Sequence, residues 1–161
     1  MELVLLTGLQ ASGKSTFCRE RFFRTHLRIN LDMINTRHRE ERLMQVCFET
    51  QLPFVVDNTN VTRSDRERYI ALARQHKFRV IGYYFQSKIH DCIARNEQRT
   101  TEEQVPKLGL LGASNRLELP SLDEGFDELY YVQIDPETKV FLVEQWGGTE
   151  QMNKNCEGDK L

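Results

Sequence analysis

Apolar residues occur along this chain in short runs that end abruptly on polar or glycine positions, and the runs alternate with stretches of helical spacing. Leu3-Val4-Leu5-Leu6 stops at Thr7-Gly8, which predicts a buried strand over residues 3–7. Helical spacing follows from Thr16 to about Thr25. Arg28-Ile29-Asn30-Leu31-Asp32 reads as a short strand running into a loop. Over residues 37–50, Leu43, Met44, Val46, Cys47 and Phe48 lie among charges, the pattern of an amphipathic helix. Pro53-Phe54-Val55-Val56-Asp57 predicts another buried strand, ending on a carboxylate. Ser64-Asp65-Arg66-Glu67 has the form of a capping box and predicts a helix from Asp65 that buries Tyr69, Ile70, Leu72 and Ala73.

The second half continues the alternation. Residues 78–85 predict a long strand, and Ser87 is placed to cap a helix carrying Ile89, Cys92 and Ile93 at helical spacing. A polar loop over 100–106 ends in Val105-Pro106, and a last helix is expected near 107–117. Residues 129–134 and 140–143 flank Asp135-Pro136-Glu137-Thr138, which predicts a hairpin. Strands alternating with helices argue for a layered α/β fold with a mostly parallel sheet. One domain is expected over 1–146, with a loose polar tail over 147–161.

The first strand delivers the chain to Gly8-Leu9-Gln10-Ala11-Ser12-Gly13-Lys14-Ser15-Thr16, a complete G-x-x-x-x-G-K-[ST] phosphate loop between a strand and a helix. That turns the α/β expectation into a P-loop NTPase three-layer sandwich. Backbone N–H groups of the loop (Gly8, Gln10, Ala11, Ser12, Gly13, Lys14, Ser15 and Thr16) and the positive end of the helix would hold phosphate oxygens. Lys14 would reach the β- and γ-phosphates of ATP, and the Ser15 hydroxyl would ligate Mg²⁺. Asn153-Lys154-Asn155-Cys156 offers no guanine-reading carboxylate, because Cys stands where one is needed.

Phosphoryl transfer to a hydroxyl also needs a proton acceptor and cations on the phosphates. Asp32, after the second strand, is the candidate general base. Asp57 ends its strand where ligands bind in open α/β sheets and is a candidate for Mg²⁺ or substrate, with Asn58, Thr59 and Asn60 beside it. Arg95 and Arg99, four apart ahead of a loop, suit a helical lid that closes two guanidinium groups over the triphosphate. Met33, Met44, Tyr83, Tyr84, Phe85 and Trp146 read as packing residues.

Charge refines this picture. The net charge is −2, yet residues 1–99 hold 17 Lys and Arg against 11 Asp and Glu, while residues 100–161 hold 5 against 13. The half with the phosphate loop should attract anions. Cys18, Cys47, Cys92 and Cys156 show no paired metal spacing and read as reduced thiols. The start lacks a basic n-region, and no apolar run approaches membrane-spanning length, so a soluble cytoplasmic protein is expected.

GLQASGKSTF, INLDMIN, VVDNTNVTRSDRERY and ARNEQR…VP, in that order from about residue 3 to 134, resemble the kinase module of polynucleotide 5′-hydroxyl kinases. LPSLDEGFDELYYVQI resembles the end of that module in animal phosphatase–kinase enzymes. The resemblance implies ATP-dependent, Mg²⁺-dependent phosphorylation of a 5′-OH end of DNA or RNA. It implies Lys14 and Ser15 on phosphate and metal, Asp32 as base, Asp57 near the acceptor, and Arg95 and Arg99 as lid arginines. Two departures bear on the acceptor. The arginine that phage-type members place three residues after the base is Asn35 here, and the one that often precedes it is Leu31. Arg37 or Arg39 is the expected substitute, within a groove lined by Arg37, His38, Arg39, Arg42, Arg63 and Arg66. The competing expectations are a kinase of a small hydroxyl acceptor with a closed pocket, and an ATP-gated binding module.

Overall fold

A computed structural model describes residues 1–147. Its centre is a six-stranded sheet built from β1 (Glu2–Thr7), β2 (Leu27–Ile29), β3 (Phe54–Val56), β4 (Arg79–Phe85), β5 (Glu128–Ile134) and β6 (Phe141–Gln145). The order is β2-β3-β1-β4-β5-β6, parallel throughout except for the antiparallel β5–β6 hairpin. The chain leaves β1 toward β3 and β2, then returns past it to β4. The C-terminal end of β1 is therefore the topological switch point at which ligands bind in such sheets.

The helices are α1 (Lys14–Arg21), α2 (Leu31–Ile34), α3 (Arg37–Thr50), α4 (Arg63–Gln75), α5 (Ile89–Glu97) and α6 (Lys107–Arg116). Both sheet faces are covered, as the continuous apolar strands require. One face packs Leu3, Leu5, Phe54, Val56 and Val80 against Met44, Phe48 and Tyr69 from α3 and α4. The other packs Val4, Leu6, Val55 and Phe85 around Phe17 of α1. A smaller cluster joins Leu9 of the phosphate loop to Val61, Cys92 of α5 and Leu110 of α6. Trp146 closes the first core, meeting Tyr84 edge-to-face and Tyr131 at a tilt and donating its indole N–H to the Pro120 carbonyl at 2.9 Å.

Five local expectations are corrected. The first helix spans Lys14–Arg21 rather than reaching Thr25. The second strand stops at Ile29, because the Asn30 side chain accepts the Met33 N–H at 3.2 Å and starts a four-residue helix with Asp32 in its first turn. The cap of α4 is Thr62, which exchanges hydrogen bonds with Asp65 at 3.1 and 3.2 Å, so Ser64 lies inside the helix. Ser87 caps nothing. Its hydroxyl donates to the Phe85 carbonyl at 2.8 Å and accepts the Leu9 N–H at 3.1 Å, supporting the phosphate loop instead. Met33, expected in the core, is 61% exposed.

No helix among the described residues is long and apolar enough to cross a membrane, and none of their side chains form a His/Cys/Asp/Glu metal cluster. Cys18, Cys47 and Cys92 are buried free thiols. The expected tail beyond Gly147, with Cys156 and the Asn153–Cys156 motif, lies outside the described residues.

Candidate active site

Residues 8–13 turn the chain from β1 into α1 through two glycines with positive φ. Gly13 caps α1 at φ 100°, and a Cβ there would meet Ile134 and Phe141 of the hairpin at 3.0 and 3.1 Å. Only glycine satisfies both the backbone and the packing. Lys14 is 7% exposed, and its ammonium donates to the carbonyls of Gly8 (2.9 Å) and Leu9 (2.6 Å). Burial lowers its pKa to about 8, against the opposing attraction of Asp57.

The segment after β3 is stitched onto the same place. The Gly8 N–H donates to the Thr59 carbonyl at 2.9 Å, and the Asn60 side chain donates to the Leu6 carbonyl at 2.8 Å. Asn60 is 4% exposed and faces β1, which corrects the expectation that it meets substrate. Asp57 is buried beside the loop. The Ser15 hydroxyl donates to its Oδ2 at 2.9 Å, and Arg28 reaches the same oxygen through Nε at 2.8 Å and Nη2 at 2.7 Å. Its Oδ1 is buried with no hydrogen-bond partner. An orphaned carboxylate oxygen beside a hydroxyl is a set of hard oxygen donors that fits Mg²⁺, an ion that binds through few protein ligands and its own waters.

Asp32 stands exposed on the α2 turn, close enough that its charge helps hold the proton on Lys14. The turn is tethered to the Asp57 segment. The Asn58 side chain accepts the Leu31 N–H at 2.9 Å, and the Asn30 side chain donates to the Asp57 carbonyl. Asn58 in turn donates to Glu40 at 3.0 Å and lies 3.2 Å from the Tyr69 hydroxyl. Glu40 is fully buried. It accepts from Tyr69 at 2.8 Å and from Arg37 at 2.8 Å, and Arg37 also donates to the Tyr69 oxygen at 2.7 Å. Burial, reinforced by Glu40, pushes the Tyr69 phenol up to about 12, so it remains a donor.

Of Arg95 and Arg99, only Arg95 lies within α5. Arg99 follows the helix, its N–H on the Asn96 carbonyl at 3.1 Å. Arg95 donates to the Ala11 carbonyl at 2.7 Å. Arg95 and Arg99 line a cleft of about 550 Å³ together with Thr16, Gln98, Ile134 and Phe141. This cleft runs from the phosphate loop to the hairpin and suits the nucleoside end of ATP.

The expected arginine groove is only partly present. Arg66 is fully buried, bound to Glu124 at 2.7 and 2.8 Å and to the carbonyls of Asn60, Val61 and Glu118. Arg63 pairs with Asp123 at 3.3 Å, and Arg37 is committed to Glu40 and Tyr69. His38, Arg39 and Arg42 are exposed along α3. Sequence reasoning passed over Arg28, Glu40 and the Tyr69 hydroxyl. The available signals were the cation four residues before Asp32 and the Arg37/Glu40 spacing of one helical turn.

The profile of the AAA domain family matches residues 3–120. The bifunctional polynucleotide phosphatase/kinase of Schizosaccharomyces pombe is 25% identical over 131 residues, covering 78% of this chain and 32% of that protein. The chain thus spans about a third of the length of that curated relative. Among solved structures, Kti12 of Chaetomium thermophilum in complex with ADP-AlF3 superposes with a TM-score of 0.64 at 16% identity, over 84% of this chain and 92% of that one. A gluconokinase from Sinorhizobium meliloti superposes with a TM-score of 0.56 at 17% identity, over 82% of each chain. These structures share the fold of this chain, and with the family profile covering most of its length the chain belongs to the AAA domain family.

Proposed function

We propose that this domain transfers the γ-phosphate of ATP to the 5′-hydroxyl end of a DNA or RNA strand. The observation that carries the reading is the tether between Asn58 and Leu31, which presents Asp32, open to solvent, at the mouth where Lys14, Ser15 and Asp57 meet. Asp32 takes the proton of the attacking hydroxyl. The hydroxyl oxygen bonds to the γ-phosphorus as the bond to the bridging β,γ-oxygen breaks, and ADP leaves. Lys14 and, once the lid closes, Arg95 and Arg99 neutralise the charge gathering on the transferring oxygens. Ser15 and Asp57 are the residues that would hold Mg²⁺, which supplies charge neutralisation on the phosphates. An acceptor side edged by exposed Asp32, Asn35, His38, Arg39 and Arg42 supports a polymer end over a small enclosed substrate.

A second reading, transfer to a small hydroxyl acceptor, is favoured by Leu31 and Asn35, which leave the acceptor without the arginines of the phage-type pattern. The test is a γ-phosphate transfer assay with labelled ATP and Mg²⁺ on 5′-OH DNA and RNA oligonucleotides. Label at the 5′ end, lost by about a hundredfold or more in Asp32→Asn while nucleotide binding persists, supports the proposal. Label on nucleosides or sugars and none on oligonucleotides selects the second reading.

A further inference from the structure

Arg28 has no part in the transfer proposed above, yet it occupies the inner edge of the site. β2 pairs with β3 in parallel, with Arg28 opposite Val55, so the strand projects its guanidinium onto the carboxylate that ends β3. Both Nε and Nη2 lie on Asp57 Oδ2, and Nη2 is also 3.4 Å from the Ser15 hydroxyl. The guanidinium therefore touches both groups whose oxygens fit the divalent cation. The Asp57 side chain is 1% exposed and that of Arg28 35% exposed, which places the arginine on the solvent side of the carboxylate.

We propose that Arg28 is a built-in counter-cation of Asp57 that competes with Mg²⁺ and thereby sets the divalent-cation requirement for nucleotide binding. The proposal rests on the nucleotide half of the function proposed above. Three donors converge on Oδ2 while buried Oδ1 has none. The guanidinium thus leaves the carboxylate half satisfied, a state that a dication with its waters completes. A monovalent and a divalent cation crowded onto one carboxylate repel each other strongly at low dielectric. The arginine can yield. Its outer nitrogen Nη1 meets the thioether of exposed Met33 at 2.9 Å, a weak acceptor that holds it loosely.

The experiment is a Mg²⁺ titration of the binding of a fluorescent ADP analogue to the wild-type chain, Arg28→Gln and Arg28→Lys. The half-saturating Mg²⁺ concentration is expected to fall about fivefold or more in Arg28→Gln, the lower end of coupling between linked sites, and to stay within about twofold of wild type in Arg28→Lys. An unchanged or higher requirement in Arg28→Gln overturns the proposal, as does a lysine variant that behaves like glutamine. A second measurement needs no stable neutral variant. In ¹⁵N-labelled wild-type protein with the ADP analogue bound, the Arg28 Nε–H resonance, assigned by its loss in Arg28→Lys, should shift as Mg²⁺ is added, and a resonance that stays fixed overturns the proposal. Wild-type protein that binds no nucleotide at any Mg²⁺ concentration overturns this proposal and the proposed function together. Binding with an Arg28-independent requirement overturns this one alone.

Discussion

The ammonium of Lys14 lies 2.6 Å from the carbonyl oxygen of Leu9, so the cation of the phosphate loop is folded back onto the loop's own backbone. Dipolar carbonyls replace water poorly around a buried charge, and burial brings the Lys14 pKa from 10.5 to about 8. The folded pKa is the lower one, so the unfolded chain holds more protons between about pH 8 and 10.5. The burial penalty is therefore full below pH 8 and is relieved as pH rises through that window. Triphosphate oxygens would restore the charge. Nucleotide binding is expected to take up a larger fraction of a proton at roughly pH 9 than near pH 7.5, read by calorimetry in buffers of different ionisation enthalpy. Lys14→Met should abolish the uptake. An uptake independent of pH would exclude Lys14 as its source.

Asn58 is a single side chain between two systems: the α2 turn that carries Asp32 and the buried Glu40–Tyr69 pair. Asn58→Ala removes the acceptor of the Leu31 N–H and a donor to a buried carboxylate. Stability should drop by about 1–3 kcal/mol. If Asn58 positions Asp32, kcat for phosphate transfer should fall by about tenfold or more while KM for ATP stays unchanged, the signature of lost geometry at the reacting centre. A stability loss with unaltered kcat would make Asn58 purely structural.

What the sequence made legible is local. The apolar runs 3–6 and 54–56 ending on polar residues, the loop of residues 8–16 and the carboxylates Asp32 and Asp57 all carry their signal within a few positions, and the loop and both carboxylates lie at the C-terminal ends of the parallel strands. What stayed hidden depends on contacts between elements far apart in the sequence. Arg28 meets Asp57 from 29 positions away, Asn58 meets Glu40 from 18, and Arg66 meets Glu124 from 58. No spacing rule selects such partners before the strands are ordered. The cap of α4 was misplaced for a different reason. Thr62 and Ser64 are equivalent cap chemistries two residues apart, and the reciprocal bond with Asp65 decides between them.

Gly82 sits mid-strand in β4, where a Cβ would lie 2.5 Å from Leu129 Cδ1 and 2.7 Å from Phe126 Cε1. Gly82→Ala is expected to overpack this contact and cost about 1–3 kcal/mol, lowering the melting temperature by roughly 3–10 °C. The strand's far end feeds the site, but no site residue touches Gly82, so nucleotide affinity should hold below the transition. An unchanged melting temperature would show that the Leu129 and Phe126 side chains turn aside freely.

Arg66 separates a structural arginine from a binding one. Its guanidinium is fully buried, fork-to-fork on Glu124, and it gathers the Asn60, Val61 and Glu118 carbonyls, so it ties the segment after β3 to the turn at residues 122–124. Arg66→Met leaves the Glu124 carboxylate without its counter-cation, with only the Ser121 N–H on Oε1, removes a donor from the Asn60, Val61 and Glu118 carbonyls, and should destabilise by about 3–5 kcal/mol in denaturant titrations. Arg66→Met combined with Glu124→Leu should cost less than the sum of the single variants, because the uncompensated buried charge disappears. The salt dependence of oligonucleotide binding gives the complementary readout. Folded Arg66→Met, measured at low temperature, should keep the wild-type slope of log affinity against log salt. Exposed Arg39, replaced by Gln, should lower that slope by about one phosphate contact. A reduced slope in Arg66→Met would return Arg66 to the acceptor groove and contradict its buried position.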